Sequence, residues 1–169
     1  HGAGAEVIAI SIDDDVRQAG MFDRWPTPNV RYVADPGGER FLGPLGLIDP
    51  DDERGIALPA MLVLAPDGTE VYRYQGRDFA DRTTDDDVYA ALDELGLDAI
   101  DAPDGGPVAE VPDDLRRFFR PETFPGYFAG NKFGAIAIQG RLTDPDARAM
   151  AREHREMAEA TIDAWNALH

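Results

Sequence analysis

Two short, uninterrupted apolar runs constrain this chain most. Val7-Ile8-Ala9-Ile10-Ser11-Ile12 and Ala60-Met61-Leu62-Val63-Leu64-Ala65 carry no charge and are closed by turn-forming residues, Asp13-Asp14-Asp15 and Pro66-Asp67-Gly68. A strand with one solvated face alternates apolar and polar residues. A continuous run of this length reads instead as a strand buried on both faces, as in a parallel sheet covered by helices. The chain is thereby directed to an α/β architecture.

The remaining signals place other elements around these runs. Aspartates 13–15 suit the start of a helix from Val16 to Trp25, because negative charge is favourable at a helix N-terminus, and Pro26-Thr27-Pro28-Asn29 stops it. Val30 to Val33 reads as a strand ending in the turn Asp35-Pro36-Gly37-Gly38, and Glu39 to Leu47 as a short helix. Pro66-Asp67-Gly68 reads as a hairpin turn into Glu70–Gln75. Thr84 or Asp85 caps a helix with Val88, Ala91, Leu92 and Leu95 on one face, ended by Gly96. A Pro- and Gly-containing stretch, residues 99–112, separates this part (1–98) from a mainly helical extension (113–169). Within the extension, Asp113 to Phe119 reads as a short helix and Asp144 to Leu168 as a long one, capped by Thr143 or Asp144 with Pro145 in its first turn. Ala147, Ala151, His154, Ala158, Thr161, Trp165 and Leu168 form a stripe at spacings of four and three. Such a stripe suits an antiparallel helix pair within the subunit or the seam of a homodimer. Gly134 to Gly140 fits either a helix or a strand.

Charge excludes several partners. The 169 residues hold 33 acidic and 16 basic side chains, a net charge of −17, with Lys132 the one lysine. Phosphate backbones and anionic lipid heads are repelled by such a surface, which argues against nucleic acid and membranes. No apolar run approaches the ~20 residues of a membrane span. The first residues, His1 to Ala5, lack the basic and apolar regions of an export signal, so a cytoplasmic location is expected.

Catalytic motifs are sparse. Gly2-Ala3-Gly4 precedes its strand, whereas a dinucleotide fingerprint follows one. Asp49, Asp51 and Glu53 have the first spacings of a calcium loop, but Arg54 and Ala60 stand where glycine and a bidentate glutamate are required. His154 lacks the second histidine of a zinc helix. No catalytic residue, metal site or cofactor is expected from these residues alone. There is also no cysteine, so the chain by itself holds no thiolate.

Three segments nonetheless carry a family likeness, in order and over about 100 residues. They are Ala5 to Asp13, Arg54-Gly55-Ile56-Ala57-Leu58-Pro59-Ala60, and Tyr72-Arg73-Tyr74-Gln75-Gly76-Arg77-Asp78-Phe79-Ala80-Asp81-Arg82. Together they resemble the alkyl hydroperoxide reductase/thiol-specific antioxidant (redoxin) family. The resemblance implies a thioredoxin-like, peroxiredoxin-like sandwich that lacks its first strand and the cysteine-bearing helix. It implies a thiol-disulfide oxidoreductase or peroxidase lineage, with a thiol protein or a peroxide as the complete protein's substrate. Pro59 is then expected to be cis, a state of roughly one X–Pro bond in twenty, presenting the backbone of Leu58 to a substrate. Arg54 and Arg82 are the nearest candidates for the family's thiolate-stabilising arginine. The missing strand belongs at the centre of the sheet, to be filled by a segment outside this chain or by Gly134 to Gly140. The alternative reading is a non-catalytic thioredoxin-like module for binding or dimerisation.

Overall fold

A computed structural model describes residues 1–77, 81–116 and 118–169, so Asp78-Phe79-Ala80 of the third resembling segment and Arg117 lie outside the described residues. The chain forms two compact units, 1–118 and 119–169.

The first unit runs β1 (Val7–Ser11), α1 (Asp15–Arg24), β2 (Val30–Ala34), β3 (Ala60–Leu64), β4 (Glu70–Gln75) and α2 (Asp85–Leu95), with one 3-10 turn at Pro36–Gly38. β1 and β2 pair in parallel, Val7 opposite Val30 and Ser11 opposite Ala34. β3 and β4 pair antiparallel, Ala60 opposite Gln75, with a bulge between Val63 and Leu64. Among the described residues these are separate two-stranded sheets, so each of β1 and β3 has one strand neighbour. That arrangement modifies the expectation of strands buried on both faces: Val63 is buried, but Val7, Ile8, Met61 and Leu64 are exposed.

Helix ends follow the sequence signals closely. Asp14 caps α1 by accepting from the Arg17 N–H at 2.8 Å, and Thr84 caps α2. Gly96 closes α2 in the left-handed conformation, φ 59°, that a β-carbon disfavours. Val88, Ala91, Leu92 and Leu95 are the half-buried face of α2. The hairpin turn closes with the Ala65 N–H on Thr69 O and the Thr69 N–H on the Asp67 carboxylate.

Among the described residues two expected helices are not formed. Glu39 to Leu47 is a run of turns: the N–H groups of Gly43 and Leu47 go to the carbonyls of Gly38 and Leu42, five residues back, Pro44 has no N–H to give, and Gly46 takes a left-handed φ of 71°. Of residues 113–119, those described are irregular as well, with the Phe118 N–H donating to Leu115 O three residues back. Residues 99–112, read as a linker, pack back on the first unit. Gly105 and Gly106 donate to Pro28 O and Val30 O, and Gly106 bridges to Arg31 at the outer edge of β2. Glycine is needed there: a β-carbon on Gly105 would lie 2.4 Å from Pro28 O and 2.5 Å from Val30 O.

The second unit is a helical hairpin of α3 (Phe124–Arg141) and α4 (Pro145–Leu168), preceded by a 3-10 turn at Pro121–Thr123. Gly134 to Gly140 is therefore helical. Asp144 caps α4 through the Ala147 N–H at 2.8 Å. The stripe on α4 faces α3, with Ala151 and Ala158 buried. His154 meets Asn131 at 3.1 Å, Lys132 pairs with Glu159 at 3.2 Å, and Trp165 stacks on Phe124 at 5.2 Å. These pairings make the helices antiparallel. Leu168 departs from the expected stripe at 80% exposure. Among the described residues no helix is long and apolar enough to cross a membrane.

Candidate functional site

In an α/β unit the carboxyl ends of parallel strands are where loops converge. Here β1 and β2 end at Ser11 and Ala34, and polar side chains gather just beyond them. Gln18, buried on α1, donates from Nε2 to Ser11 Oγ at 3.2 Å and to Val33 O at 3.0 Å. Ser11 Oγ also accepts from the Asp13 N–H at 3.2 Å. Asp35, 3% exposed, accepts from the N–H groups of Arg40, Phe41 and Leu42 at 3.0, 2.9 and 2.8 Å. Desolvation works against its charge, but the backbone donors, aided by the Arg40 charge, outweigh it and hold its pKa below the ordinary carboxylate value. The cluster anchors the loop after β2. It supplies a hydroxyl, an amide and a carboxylate, and none of these is a redox-active nucleophile.

The segment before β3 is a second polar assembly. Asp49 N–H donates to Ile56 O and Leu58 N–H to Leu47 O at 2.8 Å, with Ile48 bridged to Ala57. Across the tip, Arg54 grips Asp52 through Nε and Nη2, and Asp52 also accepts the Arg54 N–H. The Arg54 guanidinium, by its side-chain hydrogen bonds above all, holds the Asp52 carboxyl down at about 2. Arg54 thus braces its own loop.

No described peptide bond is cis, Leu58–Pro59 included. This corrects the expected cis geometry. Pro59 accepts from the Gly76 N–H at 2.7 Å and stands immediately before β3, where its missing N–H leaves no ladder bond unmade. The N–H of Leu58 is already committed to Leu47, so it does not stand ready for an extended substrate. Arg82 is exposed and donates to Asp81 O at 3.5 Å. Of the four residues expected to bind substrate, Leu58 and Pro59 are adjacent by sequence, Arg54 braces its own loop, and Arg82 donates to the carbonyl of the residue before it.

Comparison of the chain with family models, curated proteins and solved structures gave no match.

Sequence reasoning overlooked the network after β4. Asp81 accepts from Tyr74 Oη at 2.5 Å, the Arg77 N–H at 3.0 Å and Arg77 Nε at 2.6 Å. Arg77 first, then Tyr74, brings the Asp81 carboxyl down to about 2, and Asp81 in turn pushes the Tyr74 hydroxyl up. Tyr72 hydrogen-bonds Thr83 alongside. The legible signal was the alternation of Tyr72 and Tyr74 on one face of β4. Their partners lie several residues onward, beyond what alternation reveals. Among the described residues no three metal-ligating side chains are grouped to hold an ion.

Proposed function

We propose that the chain is a cysteine-free portion of a redoxin-lineage thiol-disulfide oxidoreductase or peroxidase, in which thiol chemistry depends on a cysteine outside these 169 residues. The observation that supports it most is the pair of open strand edges. Within a strand, alternate residues direct their N–H and C=O to opposite sides. Ser11 O accepts from Asp35 N–H on the β2 side, so the backbone groups of Ile8 and Ile10 point to the other side. Pro59 O accepts from Gly76 N–H on the β4 side, so those of Ala60, Leu62 and Leu64 point away from β4. Exposed edges in finished sheets are blunted by charge or proline. These two carry neither, as strands made to lie inside a sheet would. A parallel pair and an antiparallel pair, each lacking its inner neighbour, suit a thioredoxin-like sandwich without its central strand. A cytoplasmic location accords with this reading.

The test is the natural gene product. Its coding sequence is expected to supply a strand and a helix headed by Thr-x-x-Cys or Cys-x-x-Cys, and its structure a strand between β1 and β3, which then lie about 10 Å apart. A natural product with no cysteine overturns the proposal. The chain alone is expected to show no peroxide consumption with dithiothreitol above buffer, because it has no residue to form a sulfenate or a mixed disulfide. Turnover would refute that.

The second reading, a non-catalytic binding or dimerisation module, draws on a different observation: Leu58 and Arg54 are occupied within their own loop.

A further inference from the structure

The outer face of α3 is built unlike the rest of this surface. At 100° per residue, Gly126, Tyr127, Gly130, Phe133, Gly134 and Ile138 fall on one side of the helix, and all are exposed. Phe133 is 66% exposed, Ile138 56% and Tyr127 46%. The opposite side carries Phe128, Asn131 and buried Ala135 toward α4. A helix covered on one side ordinarily presents charged and polar residues on the other. On α3 no charged residue lies on the outer side until Arg141, and the one ammonium that reaches Phe133, Lys132 at 6.0 Å from its ring, is neutralised by Glu159. A β-carbon on Gly126, Gly130 or Gly134 would meet nothing within 4 Å, so the backbone there is open to close approach.

Charge indicates what can cover this face. The chain carries 33 acidic residues and a net charge of −17, yet residues 123–143 contain neither aspartate nor glutamate. Two copies repel each other over most approaches. This segment itself adds no carboxylate to a contact.

We propose that this face binds the same face of a second copy, with the two α3 helices antiparallel about a twofold axis at Gly130. A twofold contact pairs residues equidistant from its axis. Phe133 then lies against the partner subunit's Tyr127, and Gly134 against the partner subunit's Gly126. The partner subunit's Glu122 falls opposite Ile138, within one turn of Arg141. Antiparallel helices also oppose their dipoles favourably, and the glycines let the backbones come close. The inference is independent of the redoxin reading, because it uses the helical hairpin alone.

Sedimentation equilibrium tests it, with Phe133→Glu, Gly130→Leu and Leu168→Glu as variants. The unaltered chain is expected at twice the 18.5 kDa of one chain. Phe133→Glu and Gly130→Leu are expected to halve that mass. Leucine favours helix over glycine, so dissociation of Gly130→Leu with helical circular dichroism retained reports the blocked approach and not unfolding. Leu168→Glu, at the far end of α4, is expected to stay dimeric. A monomer at every concentration overturns the proposal. So does a dimer that survives both α3 substitutions, or one that Leu168→Glu alone dissociates. A monomer that floats with phosphatidylcholine vesicles also overturns it, in favour of a lipid surface.

Discussion

Asp81 draws three donors onto one carboxylate, and the arrangement makes its charge part of the folded state. Its pKa falls from 3.8 to about 2 on folding, through Arg77 first and Tyr74 second. The folded protein therefore releases a proton that the unfolded chain retains between those values. The stabilisation is complete above pH 3.8 and is lost as pH falls through about 2. Asp52 follows the same sense, held at about 2 by Arg54. Asp81→Asn should lower the Tm at neutral pH and flatten the loss of stability between pH 3.8 and about 2, read by thermal melts across that range. An unchanged acid limb in the variant would show that the Tyr74–Asp81–Arg77 network contributes nothing to stability. Asp35 is likewise held below its ordinary value, with backbone donors in place of an ion pair as the main cause opposing burial.

At the level of elements, the edge of β2 illustrates how a stretch with linker composition becomes structure. Gly105 lies so close to Pro28 and Val30 that only a residue without a β-carbon fits, and every close atom belongs to the main chain. Gly105→Ala should destabilise the first unit by about 1–3 kcal/mol, the usual cost of overpacking. Gly2→Ala, whose β-carbon meets nothing within 4 Å, should be neutral. Urea melts of the two variants distinguish them, and equal midpoints would refute the close fit. Strands and capped helices were readable because their determinants are local: Asp14, Thr84, Gly96 and Asp144 act within one turn of themselves. The turns over 39–47 were not, because they follow from the five-residue bonds of Gly43 and Leu47 and the left-handed Gly46, which an apolar pattern at helical spacing does not register. Residues 105–106 escape a local pattern for a similar reason, since their partners Pro28, Val30 and Arg31 are more than 70 positions earlier. Of the candidate site, the turn-bracing role of Arg54 was within reach of the Asp52 spacing. The partners of Leu58 and the trans Pro59, Leu47 and Gly76, are ones that no local motif links to them.

For the whole molecule, net charge is the dominant property. Self-repulsion at −17 works against the compact state, and added salt screens it. The Tm should therefore rise between low and about 0.5 M sodium chloride, where the Debye length has fallen well below its ~10 Å at 0.1 M. A fall in Tm would mean that the ion pairs, such as Arg31–Glu6 and Arg73–Glu70, outweigh the repulsion. The two units differ in how they are held: the first relies on loops tied to strand ends, the second on helix packing and an aromatic stack of Phe124, Trp165 and His169. That division has an optical consequence. The chain has two tryptophans, Trp25 immediately after α1 and Trp165 on α4, one in each unit. Each indole is thus a native fluorophore for its own half. In a Trp25→Phe protein the emission follows the hairpin alone, and in Trp165→Phe it follows the α/β half. Two melting curves recorded this way state directly whether the halves unfold together or in turn.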